Sequence, residues 1–151
     1  MKLRLSILIF SCLFLVPTTA FAADAVPTTR VISFPTDSTL TFTDDYGDPR
    51  SGHPHIGIDI LGPKMTPLYA AVDGEVSYLV NPEATWGYEV VLRDTEGWSY
   101  HYIHMNNDTP GTDDGLGGPG YAYAPGIERG ASVRRGQLVG CRDGHKPWHL
   151  F

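Results

Sequence analysis

The stretch His53-Pro54-His55-Ile56-Gly57-Ile58-Asp59-Ile60 decides how this chain is read. Isoleucines at 56, 58 and 60 alternate with Gly57 and Asp59, the period-two pattern of a strand, and glycine weakens the helical alternative. The same stretch sets a histidine and a carboxylate, His55 and Asp59, four residues apart. Neutral imidazole and carboxylate oxygen are ligand types of a catalytic zinc site. Four residues of extended strand cover about 13 Å, too far for both side chains to reach one ion about 2 Å from each. A bend or bulge at Gly57, where no Cβ restricts the backbone, would bring them together. For an isolated H-x-x-x-D the plainer reading prevails: a buried strand entered by a polar turn, with His55 exposed and Asp59 hydrogen-bonded.

Outward from this stretch the chain is rich in short β-branched and aromatic runs: 31–34, 40–42, 56–60, 67–72, 75–80, 88–93 and 98–105. Gly, Pro, Asn and Asp separate them, as turns require, and no long segment has apolar residues at helical spacing. Asp94-Thr95-Glu96-Gly97 reads as a hairpin loop and Asp73-Gly74 as a second tight turn. Residues 106 to about 130 are Gly-, Pro- and Asp-rich without periodicity, a solvated loop by composition. Asp108, Asp113 and Asp114 there lack the spacing of a helix-flanked calcium loop. These patterns predict a mostly β protein: a single antiparallel β-sheet or sandwich-like domain with long glycine-rich loops.

The first 22 residues read as a secretory signal: Lys2 and Arg4, a mostly apolar run from Leu5 to Val16, and a small-x-small site at Ala20-Phe21-Ala22. Residues 23–30 follow as a flexible leader and 31–151 as the domain. Export to the periplasm or beyond is expected, with no membrane attachment after signal removal. The full chain has a net charge of −6. The signal holds two of its bases and none of its acids, so the mature chain is more acidic still, which argues against nucleic acid as a partner. Of two cysteines only Cys141 lies beyond the signal, so no internal disulfide is available.

A second chemical stretch is Tyr100-His101-Tyr102-Ile103-His104-Met105. On a regular strand Tyr100, Tyr102 and His104 share one face, and His101, Ile103 and Met105 the other. A histidine among tyrosines can handle protons or stabilise an oxyanion near a metal, but it is equally a half-exposed strand residue beside aromatics. His101 fits the latter.

Four blocks in order, H-x-G-x-D at 55–59, P-L-Y-A-A-x-x-G-x-V at 67–76, Y-x-H-M at 102–105 and a glycine-rich block at 130–140, resemble the lysostaphin/LytM-type zinc metallopeptidases. The upstream segment from Phe42 to Arg50 is loosely similar to the corresponding segment of some members. The resemblance implies a β-sheet domain whose groove binds extended peptides, usually the cross-links of bacterial peptidoglycan. It further implies one zinc ion with His55 and Asp59 as the first two ligands. His104 matches a histidine that polarises water or stabilises the reacting centre.

The resemblance fails at the end of the chain. The family completes its site with H-x-H, usually in a His-Leu-His-Phe block, and this chain reads Gly144-His145-Lys146-Pro147-Trp148-His149-Leu150-Phe151. Three explanations compete: truncation or frameshift after Gly140, substitution of the third ligand by His149 or His145, or a non-catalytic relative that binds peptidoglycan or a partner hydrolase. Truncation ranks first, and with it the strand carrying this block would be cut off and the sheet left with an open edge. The function expected is a zinc-dependent metalloendopeptidase acting on cell-wall cross-link peptides, inactive if the site is incomplete.

Overall fold

A computed structural model describes residues 29–36 and 40–144 and the backbone of 148–150. The expected signal and most of the leader lie outside the described residues, as do His145 and the side chain of His149. The chain from Val31 onward forms one unit, and Thr29 and Arg30 belong to a separate one. Among the described residues no helix is long and apolar enough to cross a membrane.

The runs expected to be strands become β1 (Thr41–Phe42), β2 (Ile58–Leu61), β3 (Pro67–Tyr69), β4 (Gly74–Leu79), β5 (Tyr88–Arg93) and β6 (Ser99–Met105). The run 31–34 is not a strand, although Ser33 N–H donates to the Ala71 carbonyl at 2.9 Å. Three strands and a helical turn go beyond the expectation: α1 (Pro119–Ala122), β7 (Ser132–Val133), β8 (Leu138–Cys141) and β9 (Trp148–Leu150). A seven-stranded antiparallel sheet has the order β1-β2-β9-β6-β5-β4-β7, and β3 pairs with β8 in a second, two-stranded sheet. The fold is mostly β, as expected.

β9 departs from the sequence reading. The strand expected to be cut off fills the position between β2 and β6. Its register sets residue 149 opposite Asp59 on one side and opposite Ile103 on the other.

The core lies behind the large sheet. Val76, Val90, Leu92 and Tyr102 from its central strands are fully buried with Leu68, Ala70, Ala122 and Val139. Tyr102 carries its hydroxyl into this core, where it accepts from the Ala71 amide at 2.7 Å. Burial pushes that phenol above its ordinary range.

The hairpin joining β5 to β6 is the one read from sequence, and its chemistry is that of an Asx turn. Asp94 Oδ1 accepts from the amides of Glu96 and Trp98, both at 2.9 Å. The 106–130 segment is not the bare solvated loop expected. Asn106 and Asp108 are buried, Ile127 joins the core cluster, and α1 interrupts the segment. Lys64 Nζ donates to Asp108 Oδ2 at 2.6 Å and to Asp113 Oδ1 at 3.0 Å. An ammonium therefore sits among the acids that composition alone could have assigned to calcium.

Candidate metal site and cleft

His55 and Asp59 meet at the N-terminal end of β2. The chain bends at Gly57, and strand pairing begins only at Ile58. His55 therefore stands outside the strand rather than on it, and the 13 Å problem of a straight strand disappears. His55 Nε2 lies 3.3 Å from Asp59 Oδ1. His55 is 4% exposed, so the plainer reading with an exposed His55 does not hold.

Behind this pair stands Asp45, which the sequence reading did not single out. Asp45 Oδ1 accepts from the Asp59 amide at 3.1 Å, and its Oδ2 accepts from Arg50 at 2.9 Å. The carbonyl and Oδ2 of Asp45 both lie 3.1 Å from His55 Nδ1. Arg50 also comes within 3.2 Å of that nitrogen. Two acceptors against one donor favour Nδ1–H, with the Arg50 nitrogen already given to the carboxylates of Asp45 and Asp59, the latter at 2.8 Å. Burial alone would raise the Asp45 carboxyl, but the Asp59 hydrogen bonds and the nearby His55 outweigh it and hold it below the usual range.

Asp45, His55 and Asp59 are together close enough to share an ion. Geometry divides their roles. Asp45 faces the Nδ1 side of His55 with both oxygens engaged by N–H donors, whereas His55 Nε2 and Asp59 Oδ1 face each other. Two ligands each about 2.0–2.1 Å from a tetrahedral zinc lie about 3.3–3.4 Å apart, so this pair has the edge length of a zinc tetrahedron. The donor types fit as well. Around a bound ion, Asp45 would be the outer hydrogen-bond partner that such a histidine normally has.

His104 arrives from β6 by a route that alternation conceals. The register pairs Tyr88 with Met105 and Glu89 with Ile103, so it skips residue 104. His104 occupies this bulge with φ 59, a left-handed conformation unusual for a residue bearing a Cβ. The expectation that His104 shares the face of Tyr100 and Tyr102 is thereby corrected. Met105 takes the buried place instead, at 1% exposure, and Ile103 and His104 both line a cleft. His104 Nδ1 donates to the Trp86 carbonyl at 2.7 Å, which turns Nε2 to the other side of the ring. Gly87, at φ +94, lies directly under the His104 Cα.

The cleft has a volume of about 590 Å³ and includes Arg50, His55, Ile56, Trp86, Ile103 and His104 in its walls. A larger open groove of about 850 Å³ runs between the 73–77 turn and the 93–95 end of the hairpin. None of the site residues named from sequence lines that groove. His101 faces elsewhere, with Nδ1 2.8 Å from Glu89 Oε1.

Residues 53–113, which carry His55, Asp59 and His104, match the family described as Peptidase family M23. The match covers the segment that holds the candidate site and leaves the rest of the chain outside it. The chain is also similar to the cell division protein DipM of Caulobacter vibrioides, 31% identical over 62 residues, 41% of this chain and 10% of DipM. Among solved structures, Csd3 of Helicobacter pylori superposes with a TM-score of 0.58 at 21% identity, over 80% of this chain and 29% of Csd3. A variant of the catalytic domain of EnpA, a prophage-encoded M23 protein of Enterococcus faecalis, gives 0.53 at 25% identity, over 76% of this chain and 80% of that domain. The chain thus spans about a tenth of the curated relative that it matches.

Proposed function

We propose that this chain is a zinc-dependent metalloendopeptidase of the M23, peptidoglycan-hydrolase type, exported to the periplasm or beyond and acting on cell-wall cross-link peptides. The observation carrying this reading is the His55 Nε2–Asp59 Oδ1 pair, 3.3 Å apart beside a cleft that also holds His104. His149 is the third ligand in this reading. What supports it is the backbone register, which sets residue 149 opposite Asp59.

Bound zinc supplies Lewis acidity and lowers the pKa of a coordinated water. The chain's own residues do the rest. Ile56, Trp86 and Ile103 give the cleft an apolar wall for an extended peptide. Arg50 holds Asp59 Oδ2, leaving Oδ1 aimed at His55. Asp45 keeps the His55 proton on Nδ1, so that Nε2 offers its lone pair. His104, its own Nδ1 proton committed to Trp86, presents Nε2 to accept or return a proton at the scissile group.

A second reading has the same site as a non-catalytic module that binds peptidoglycan or regulates a partner hydrolase. Its support is that the positions two before and two after His149 are Pro147 and Phe151, so neither supplies the other histidine of H-x-H. Zinc content and digestion of purified peptidoglycan separate the two. An enzyme carries one zinc, loses it in His55→Ala and in His149→Ala, and releases soluble peptide fragments. A binding module sediments with peptidoglycan and releases nothing. Absence of zinc from the purified wild-type protein would sink the catalytic reading.

A further inference from the structure

One buried carboxylate in the cleft has no part in the roles above. Glu89 on β5 is 7% exposed and lines the cleft. Its Oε1 faces His101 Nδ1 at 2.8 Å, and its Oε2 accepts from the indole N–H of Trp86 at 3.2 Å. Trp86 is the residue whose backbone carbonyl receives the His104 Nδ1 proton. It sits in a short turn closed by the Gly87 amide on the Ala84 carbonyl at 2.9 Å. With 46% of Trp86 exposed, packing alone does not fix this turn, and the indole hydrogen bond supplies a specific anchor.

We propose that Glu89 is a positioning residue for His104: by clamping the Trp86 indole it fixes the turn whose carbonyl keeps His104 in its Nδ1–H tautomer, with Nε2 turned away from that carbonyl. His101 holds the other oxygen of Glu89, which sets the carboxylate for this contact. The link to hydrolysis rests on the peptidase reading above, whereas the tautomer of His104 can be observed without zinc or substrate. A carboxylate that only tied β5 to β6 through His101 would leave His104 indifferent to the indole N–H.

The test is the nitrogen-15 spectrum of the histidine rings in the full chain, near neutral pH and without metal. Wild type is expected to show His104 protonated on Nδ1. Trp86→Phe, which keeps a ring and removes only the N–H, and Glu89→Ala should each shift His104 toward the Nε2–H form that an unconstrained imidazole favours. The double variant should move it no further than one substitution, because both break the same contact. Glu89→Gln, whose amide oxygen can still accept from the indole, should retain the wild-type tautomer. If Glu89→Ala fails to fold, Trp86→Phe decides, since it leaves the Glu89–His101 pair intact. Unchanged His104 signals in Trp86→Phe, or additive shifts in the double variant, overturn the proposal. On active protein, Trp86→Phe should lower turnover about 10-fold or more with zinc content unchanged. Wild type that cuts no peptidoglycan would overturn the peptidase reading and leave the tautomer result standing.

Discussion

Replacing Asp45 by alanine removes in one step an acceptor near His55 Nδ1, a partner of Arg50 and the acceptor for the Asp59 amide. We expect zinc affinity to fall about 10- to 100-fold in Asp45→Ala, read by competition with a chelator, with Asp45→Asn in between. An unchanged affinity would mean that the Asp45 backbone carbonyl, which the substitution leaves in place, is enough to hold the His55 Nδ1 proton. His55 and Asp59 were legible in the sequence because their spacing is fixed within one short segment. Asp45 was not. It reaches the pair from a turn, and an acid in a polar turn has no periodicity to betray it.

At the scale of the element, the bulge in β6 sets the chemistry of His104. A left-handed residue with a Cβ carries a backbone cost of about 1–2 kcal/mol that glycine escapes. In an ordinary strand glycine is less stable than alanine; here we expect the reverse, with His104→Gly melting above His104→Ala in thermal unfolding. Both variants should lose peptidoglycan digestion while retaining zinc. The bulge was invisible to alternation along 100–105, because the slip is set by the partner residues Tyr88 and Glu89 and not by the strand that bulges.

The 106–118 loop makes a second prediction at this scale. Hydrogen bonds from the Thr109 and Leu116 amides pull the Asp114 carboxyl down to about 2. Burial alone would raise Asp108, but the Lys64 ammonium and the Gly115 amide hold it below its ordinary value. Both pKa values are depressed in the folded chain, so their stabilisation is complete above the ordinary carboxyl range and is lost as pH falls toward about 2. Lys64→Met should lower the melting temperature at neutral pH and narrow the gap to wild type on acidification. A gap that stays constant with pH would exclude the Lys64–Asp108 pair as its source.

Across the whole molecule, β1 to β6 follow runs that sequence patterns made visible, whereas β7, β8 and β9 do not. β7, β8 and β9 lie outside the β-branched and aromatic runs read from sequence, and they owe their existence to pairing with strands distant in sequence. β9 has the larger consequence, since it is flanked on both sides. A chain ending at Gly144 would leave β2 and β6 with facing unpaired edges, and we expect it to aggregate and lose its cooperative melt. A soluble, sharply melting product would show that β2 and β6 can close on each other. The same strand also imposes an order in time. Joining residue 149 to residue 59 is among the least local contacts in the fold, and closure entropy makes such contacts slow to form. On the proposed ligand set the newly made chain is therefore chemically silent for as long as its tail stays undocked. Zinc uptake in refolding should then share the rate of the slow step that docks β9 against β2, so that the metal site matures only with this pairing.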